Sequence, residues 1–301
     1  MSARWSYDTW QTELRLPFGA SSIIATEATV QAGEVVARGT RYRGTRRVNA
    51  AKVLACPPEQ VRDLLRVRVG ESVRSGAIIA RQGQRFARAI VAAEDGRIVH
   101  LDAEGGVHIA TVRAEWEVRS PLDGVVRDAD ARAVVVEGAS WAISGIAAFG
   151  PSRAGALTLA VDAADEELVA SRLDVSAAGR VLVGGARVSG EALARAHAVG
   201  AAGVVVASAS FRALLPVYGE DASAFGTPSD EDVPTLFILG AFGHAPFDRG
   251  LFDALRRLDG SRAAIDAENG RLHVFAQPDA SRPLEAAALS LEDDLSGARL
   301  A

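Results

Sequence analysis

The sequence predicts an α+β protein of two domains, a β-rich first half and a small α/β second half with a partly parallel sheet. Three observations indicate this fold class. The pattern V-x-x-G-E-x-V-x-x-G occurs twice, at 30–39 and 67–76. Asp-Gly turn signals separate short valine-rich runs in the first 150 residues. Beyond that point strand-like runs alternate with helical runs, which is typical of βαβ units.

Composition limits the class of protein. Of the 301 residues 49% are apolar but only 6% are aromatic, so we expect a core built mainly from Val, Ala, Leu and Ile. The formal net charge of −5 argues against a general nucleic-acid binder, because phosphate contacts need a surplus of cations. Partners other than nucleic acid are therefore expected.

The single cysteine and the N-terminus predict a cytoplasmic location. Cys56 is the only cysteine, which excludes an intrachain disulfide and a metal site built on several thiolates. The first ten residues lack the apolar segment of a signal peptide. No uncharged run reaches the roughly 20 apolar residues that span a bilayer, so no membrane span is expected.

The predicted elements of the first half follow the two repeats. Residues 1–22 form an N-terminal segment whose Trp5 and Trp10 are expected to dock on another surface. The β-rich domain is placed at 23–150, with a helical insert at 48–65 that keeps a 3.6-residue period. The two glycines that flank a valine in each repeat predict a strand, a tight turn with positive φ, and a second short strand that begins after another turn.

Sequence motifs of the first half resemble those of a known family. G-E-S-V-R-S-G-A-I-I-A at 70–80 and S-P-L-D-G-V-V at 120–126 are similar to the two halves of the barrel-sandwich hybrid in biotinyl and lipoyl carrier domains. A similar domain occurs in electron-transport complex subunits. The resemblance covers 23–150 and implies a small barrel-sandwich fold.

The resemblance does not extend to the attachment site. Carrier domains hold their prosthetic group on a lysine at a hairpin tip between the two halves. The only lysine here is Lys52, which lies in the predicted helical insert. We therefore expect no biotin or lipoate attachment, and predict no other cofactor.

The second half, placed at 151–276, reads as a small α/β domain. Ser189 is a typical N-cap for a helix that begins at Gly190, between two strand-like runs. Such spacing predicts a βαβ unit with parallel strands. The predicted elements are strands at 180–185, 203–207 and 233–239, helices at 190–199 and 247–258, and a hairpin at 262–276 that turns at Asn269-Gly270.

Part of this half resembles the protease-associated domain. The residues concerned are A-H-A-V-G-A-A-G-V-V-V at 196–206 and V-P-T-L-F-I at 233–238. The combination of both halves is similar to a group of bacterial proteins of uncharacterised activity, which implies no function. The remaining tail, 277–301, is acidic and Ala-rich, a composition typical of disorder or of docking through Leu289, Leu291 and Leu295.

Motif searches give no catalytic and no metal-ligating residue. His100, Asp102, Glu104 and His108 lie close in sequence, but polar β-turns usually have this composition, and we interpret them so. Ser140 lies in G-A-S-W-A, which lacks the second glycine of a nucleophile elbow.

Two groups of residues are candidates for binding. One group lies at predicted element ends: Gly184, Gly185 and Ser189 precede the predicted helix, and His244 follows a predicted strand. The carboxyl ends of such strands and the starts of helices can hold an anionic ligand. A run of cations interrupted by no acid suggests a patch for an anion or an acidic partner surface, and it includes Arg41, Arg43, Arg46 and Arg47.

The sequence as a whole favours a non-catalytic binding or assembly protein. In this hypothesis the lipoyl-like barrel is a docking module for another protein. The alternative is an enzyme or enzyme subunit that binds a small anionic ligand at the strand-end loops of the α/β domain.

Overall fold

The computed structural model describes residues 5–17, 20–42, 44–83, 87–111, 113–219 and 233–278. Of these described residues 47% are in strands and 17% in helices, a β-rich composition that is compatible with the α+β class. The strands are β1 (Ser6–Arg15), β2 (Ala20–Ile23), β3 (Thr29–Val30), β4 (Val35–Tyr42), β5 (Thr45–Asn49), β6 (Ser72–Val73), β7 (Ile78–Gln82), β8 (Arg88–Val91), β9 (Gly96–Leu101), β10 (Gly106–Ala110), β11 (Arg113–Arg119), β12 (Gly124–Ala129), β13 (Ala133–Ser144), β14 (Ala147–Phe149), β15 (Arg153–Leu159), β16 (Glu167–Leu168), β17 (Arg180–Val183), β18 (Arg187–Val188), β19 (Gly203–Ala209), β20 (Thr235–Phe242), β21 (Arg262–Asp266) and β22 (Arg271–Phe275). The helices are α1 (Ala50–Leu54), α2 (Val61–Leu64), α3 (Gly190–Ala198), α4 (Phe211–Tyr218) and α5 (Arg249–Arg257), with 3-10 turns at Pro58–Gln60, Ala170–Arg172 and Val175–Ala177.

Contacts divide the chain into two compact units. The inserted unit comprises residues 18–21 and 38–116, and the larger unit comprises 1–17, 22–37 and 117–301. The units differ from the predicted domains, because residues 117–150 belong to the same unit as 151–276. The predicted domain limits therefore stay a prediction. The predicted tail falls almost entirely on 279–301, which lies outside the described residues.

The larger unit is built on a mixed sheet. Its strands follow the order β14-β20-β19-β17-β15-β21-β22-β13-β12-β3, with β1 on β13 and β18 joining β16 to β19. Strands β15, β17, β19 and β20 pair in parallel, and the rest of this order is antiparallel. The predicted βαβ unit is confirmed, since α3 connects the parallel strands β17 and β19. All residues of β19 are buried, as expected for a parallel strand covered on both faces.

The N-terminal strand docks inside this unit. All ten residues of β1 pair with β13. The fully buried Trp5 stacks on Trp141 with ring centroids 5.5 Å apart, and Trp10 lies edge-on to His273 at 6.2 Å. The indole Nε1 of Trp10 also donates to the carbonyl of Ser140 at 3.0 Å. The predicted docking of Trp5 and Trp10 therefore takes place within the same unit.

The inserted unit contains two small sheets and its own core. Strands β5, β10, β9 and β6 form one sheet and β7 with β8 forms the other. The helical insert is shorter than predicted, because β5 continues to Asn49 before α1 begins. Its core contains Leu54, Val61, Ile79 and Ile98, each fully buried.

The sequence repeat forms one turn twice, once in each unit. Gly33 and Gly70 have φ of 89° and 94°, which confirms the predicted positive-φ turns. The glutamate after each glycine accepts a hydrogen bond from the amide three residues before it, at 3.0 Å for Glu34 and 2.8 Å for Glu71. The turn predicted at the second glycine is present at Gly76, which has φ of 83°, but not at Gly39, which is a buried residue within β4 because the strand continues through it.

The partner segments of the two turns also match. The amide of Gly33 donates to Ser120 and that of Gly70 to Ile98, both at 2.7 Å. The arginine preceding each partner donates to the glycine carbonyl, Arg119 at 2.9 Å and Arg97 at 2.7 Å. The repeat is thus a repeated hydrogen-bonding unit and carries no reactive group.

None of the helices in the described ranges is long and apolar enough to span a lipid bilayer.

Candidate functional site

A pocket lies where three parallel strands of the larger unit end. Residues following β18, β19 and β20 meet there, because these strands run side by side in the same direction. The pocket has a volume of about 270 Å³. The residues that line it include Glu167, Arg187, Ser189, Ser210, Arg212 and Gly243. The carboxyl ends of parallel strands are where open α/β sheets bind ligands.

Two helices begin at this pocket. Ser189 caps α3 by accepting a hydrogen bond from the amide of Ala192 at 3.1 Å, and Ser210 caps α4 by accepting from Ala213 at 3.3 Å. The amides ahead of these in each first turn have no partner within their own helix. Together with the helix dipoles, two such termini give the pocket a positive potential.

Two arginines add full positive charge. Arg187 Nε donates to Glu167 Oε2 at 2.7 Å, and these side chains are 48% and 33% exposed. Arg212 is exposed, and no carboxylate in the described part of the chain pairs with it. The described residues that line the pocket thus include two arginines and one glutamate, an excess of one positive charge.

The predicted ligand-binding residues are only partly brought together. Ser189 lines the pocket. His244 is exposed, and it follows the lining residue Gly243 without lining the pocket itself. Gly184 and Gly185 lie between β17 and β18, one strand segment before the helix start.

The two glycines serve backbone packing. A Cβ at Gly184 would lie 3.0 Å from Val206, and one at Gly185 would lie 2.5 Å from the carbonyl of Glu166. Gly185 also has φ of 68°, in the left-handed region. The chain thus bends here and continues as β18, so these glycines do not form the edge of the pocket.

One residue of the predicted arginine patch, Arg47, is paired with acids from the β9–β10 turn. Arg46 and Arg47 lie on β5, and Arg47 Nε donates to Asp102 Oδ2 at 2.6 Å and a second nitrogen donates to Glu104 at 3.1 Å. Arg41 is half-buried in β4, and Arg43 lies outside the described residues. A run without acids in sequence therefore has acids beside it in space.

The polar cluster on the β9–β10 hairpin is centred on Asp102. His108 Nε2 lies 2.9 Å from Asp102 Oδ2, and the amide of Gly106 donates to Oδ1 at 2.6 Å. The hydrogen bond from Arg47 is the main reason that the pKa of Asp102 is well below its ordinary value. Among the described residues no three His, Cys, Asp or Glu side chains are arranged to hold a metal ion.

A second polar cluster is buried in the larger unit. Ser140 Oγ lies 2.9 Å from His273 Nδ1, and both residues are fully buried. Burial, with the charge of Arg271, lowers the pKa of His273 to about 3, so its ring is neutral at pH 7. Asp266 is also buried; it accepts from Thr12 and Asn269, and burial raises its pKa. Solvent does not reach Ser140, which argues against a nucleophilic role.

The sequence interpretation missed most of the pocket. Ser210 and Arg212 belong to α4, which was not predicted, and Arg187 and Glu167 become neighbours only through the parallel pairing of β16 with β18. One signal for α4 was present: Ser210 is a good N-cap, and Leu214 and Tyr218 follow at helical spacing. Pro216 inside the helix obscured it.

Comparison of the chain with family models, with curated proteins and with solved structures found no match.

Proposed function

We propose that the larger unit binds a small anion, most simply a phosphate group, in the pocket at the ends of β18, β19 and β20. The observation that carries this proposal is the convergence of Arg187, Arg212 and the starts of α3 and α4 on one concavity. Arginine donors and helix-start amides are the groups that proteins use for phosphate.

The size of the pocket restricts the ligand. Sites for drug-sized ligands have volumes of roughly 300–1,000 Å³. At about 270 Å³ this pocket falls just below that range and suits a phosphate with a small substituent.

The role we propose is binding without catalysis. The hydroxyl groups of Ser189 and Ser210 are engaged as helix caps. No histidine or cysteine is among the residues that line the pocket in the described ranges, and Glu167 is held by Arg187. An activated nucleophile with its base, which acyl or phosphoryl transfer through a side chain would need, is therefore not supported.

The test is isothermal titration calorimetry of inorganic phosphate on the full chain. Arg212→Gln should weaken binding about tenfold or more, because a charged hydrogen bond is removed. Arg46→Gln is the matched control, an exposed arginine in the inserted unit, and should bind as the parent does. Equal affinities of the parent and Arg212→Gln, or no phosphate binding by the parent, would refute the proposal.

A second candidate function, docking through the lipoyl-like part in a cytoplasmic assembly, is supported by one observation. Ile78 and Val91 are cross-strand partners on β7 and β8, and they are 41% and 51% exposed. Paired apolar side chains that stay exposed suit a protein interface.

Native mass spectrometry of the protein isolated from its host tests this docking role. A discrete partner at a fixed ratio, lost in the Ile78→Ser, Val91→Ser double variant, would support it. A bare chain would count against it.

A further inference from the structure

We propose that the ligand of this pocket carries an aromatic ring next to its anionic group. The inference rests on the proposed function and narrows the ligand to a small aryl phosphate or an analogous aromatic anion. It is drawn from two phenylalanines whose neighbours in the chain line the pocket.

Phe211 and Phe242 are unusually exposed. They are 57% and 54% exposed, whereas Phe149, Phe237 and Phe252 in the same unit are at most 5% exposed. Phe211 is outside the buried face of its helix, since the buried residues of α4 are Ala213 and Leu214. Core packing therefore does not account for Phe211, and it leaves about half of Phe242 exposed.

Both phenylalanines are placed at the pocket by the backbone. Phe211 stands between Ser210 and Arg212, which line the pocket, and Phe242 directly precedes the lining residue Gly243. The two positions are tied together, because Phe242 is the register partner of Ala209 and the amide of Gly243 donates to the Ala209 carbonyl at 2.9 Å. The backbone thus places two phenylalanines next to residues that line the pocket, which also contains Arg187 and Arg212.

One of the rings is held in place. Phe242 packs edge-on against Phe149 with centroids 6.2 Å apart, and about half of the residue still remains exposed. A ring fixed in this way loses little freedom when a ligand stacks on it.

Charge complementarity decides between possible occupants. Exposed phenylalanines alone would suit many partners, but these two are chain neighbours of residues that line a pocket with two arginines and one glutamate. A molecule that satisfies both features has an anionic group in the pocket and an apolar ring at its edge. Ring stacking is tolerant of the identity of the ring, so it defines a class of ligand.

The experiment compares three probes by calorimetry: inorganic phosphate, methyl phosphate and phenyl phosphate. We expect phenyl phosphate to bind about tenfold more tightly than methyl phosphate. The Phe211→Ser, Phe242→Ser double variant should reduce phenyl phosphate to the affinity of methyl phosphate and leave inorganic phosphate unchanged. Val175→Ser, at an 82% exposed position in the same unit, is the control and should change nothing.

The outcomes separate the two proposals. If inorganic phosphate binds and phenyl phosphate gains nothing over methyl phosphate, the aromatic inference is wrong and anion binding stands. If none of the three probes binds, both proposals fall. Sedimentation of parent and double variant gives a further check: a parent dimer that becomes monomeric in the variant, with no preference for phenyl phosphate, would show that a second copy covers the rings.

Discussion

The Asp102 cluster of the inserted unit and two polar sites of the larger unit differ in how far their polar groups are paired. In the inserted unit Asp102 is contacted by Arg47, His108 and the amide of Gly106, so the charged groups satisfy one another. In the larger unit Arg212 has no carboxylate partner in the described ranges, and His273 Nε2 is buried without a hydrogen-bond partner. The first arrangement stabilises a hairpin, and the second leaves binding capacity unused.

Under the proposed function, the local density of charge in the sequence does not mark the binding site. The arginine run was the most conspicuous charged feature of the sequence, yet Arg47 is committed to the fold. The pocket arginines, Arg187 and Arg212, are 25 positions apart and face a concavity. A charged side chain that lines a pocket and lacks a charged partner is the better criterion for the proposed site.

Acid should destabilise the larger unit more than the inserted unit, and this is the largest effect that we expect. Folding lowers the pKa of His273 from 6.5 to about 3, so the stability that its neutral form contributes is full above pH 6.5 and is lost as the pH falls towards 3. At pH 4.5 this amounts to roughly 2–3 kcal/mol. Asp102 also has a lowered pKa, but its contribution is lost only below its ordinary value of 3.8.

Hydrogen exchange read by mass spectrometry at pH 7 and pH 4.5, corrected for intrinsic rates, measures this difference. Protection of β21 and β22 should fall while that of β9 and β10 is kept. Asp266 acts in the opposite sense, since its raised pKa favours the protonated carboxyl in the fold, and the net loss should therefore be smaller than that for His273 alone. Equal losses in both units, or the same loss in His273→Gln, would contradict the assignment.

Replacement by Gln should lower the melting temperature at Arg47 and leave it unchanged at Arg212. Arg47→Gln removes the group that bonds both Asp102 and Glu104, and we expect the melting temperature to fall by about 5 °C, with phosphate binding unchanged. Arg212→Gln should melt like the parent, because no ion pair in the described structure is lost. Differential scanning fluorimetry of both variants decides this, and matching melting temperatures would erase the distinction between the two units.

The smallest expected effect concerns the carboxylate in the pocket. Glu167→Gln removes the negative charge that offsets Arg187, so phosphate affinity should rise about threefold to fivefold. Glu104→Gln, which removes an 80% exposed carboxylate from Arg47, should leave the affinity unchanged. Weaker phosphate binding in Glu167→Gln would mean that Glu167 contacts the ligand.

Local signals predicted local structure well. The helix cap at Ser189, the positive-φ turns at Gly33 and Gly70 and the hairpin turn at Asn269-Gly270 depend on a few adjacent residues, and each is present. Gly184 and Gly185 lie between β17 and β18 and do not line the pocket, because a bend between two strand segments and a turn that begins a helix use the same residue type. The place of Arg212 in the pocket could not be predicted, because it depends on a second helix starting beside the first. That arrangement is set by the pairing of β19 with its neighbours. The barrel-sandwich and protease-associated resemblances remain predictions.

The pairing of β1 with β13 has a consequence for the order in which the protein is made. Residues 6–15 can complete their ladder only with 133–142, and the whole of segment 38–116 leaves the ribosome in between. Two of its sheets, β5-β10-β9-β6 and β7-β8, pair within the segment itself, so their contacts become available first. During synthesis, Trp5 and Trp10 stay exposed until Trp141 and His273 have been added. The N-terminal strand is thus the first part of the larger unit to be translated and among the last to be buried.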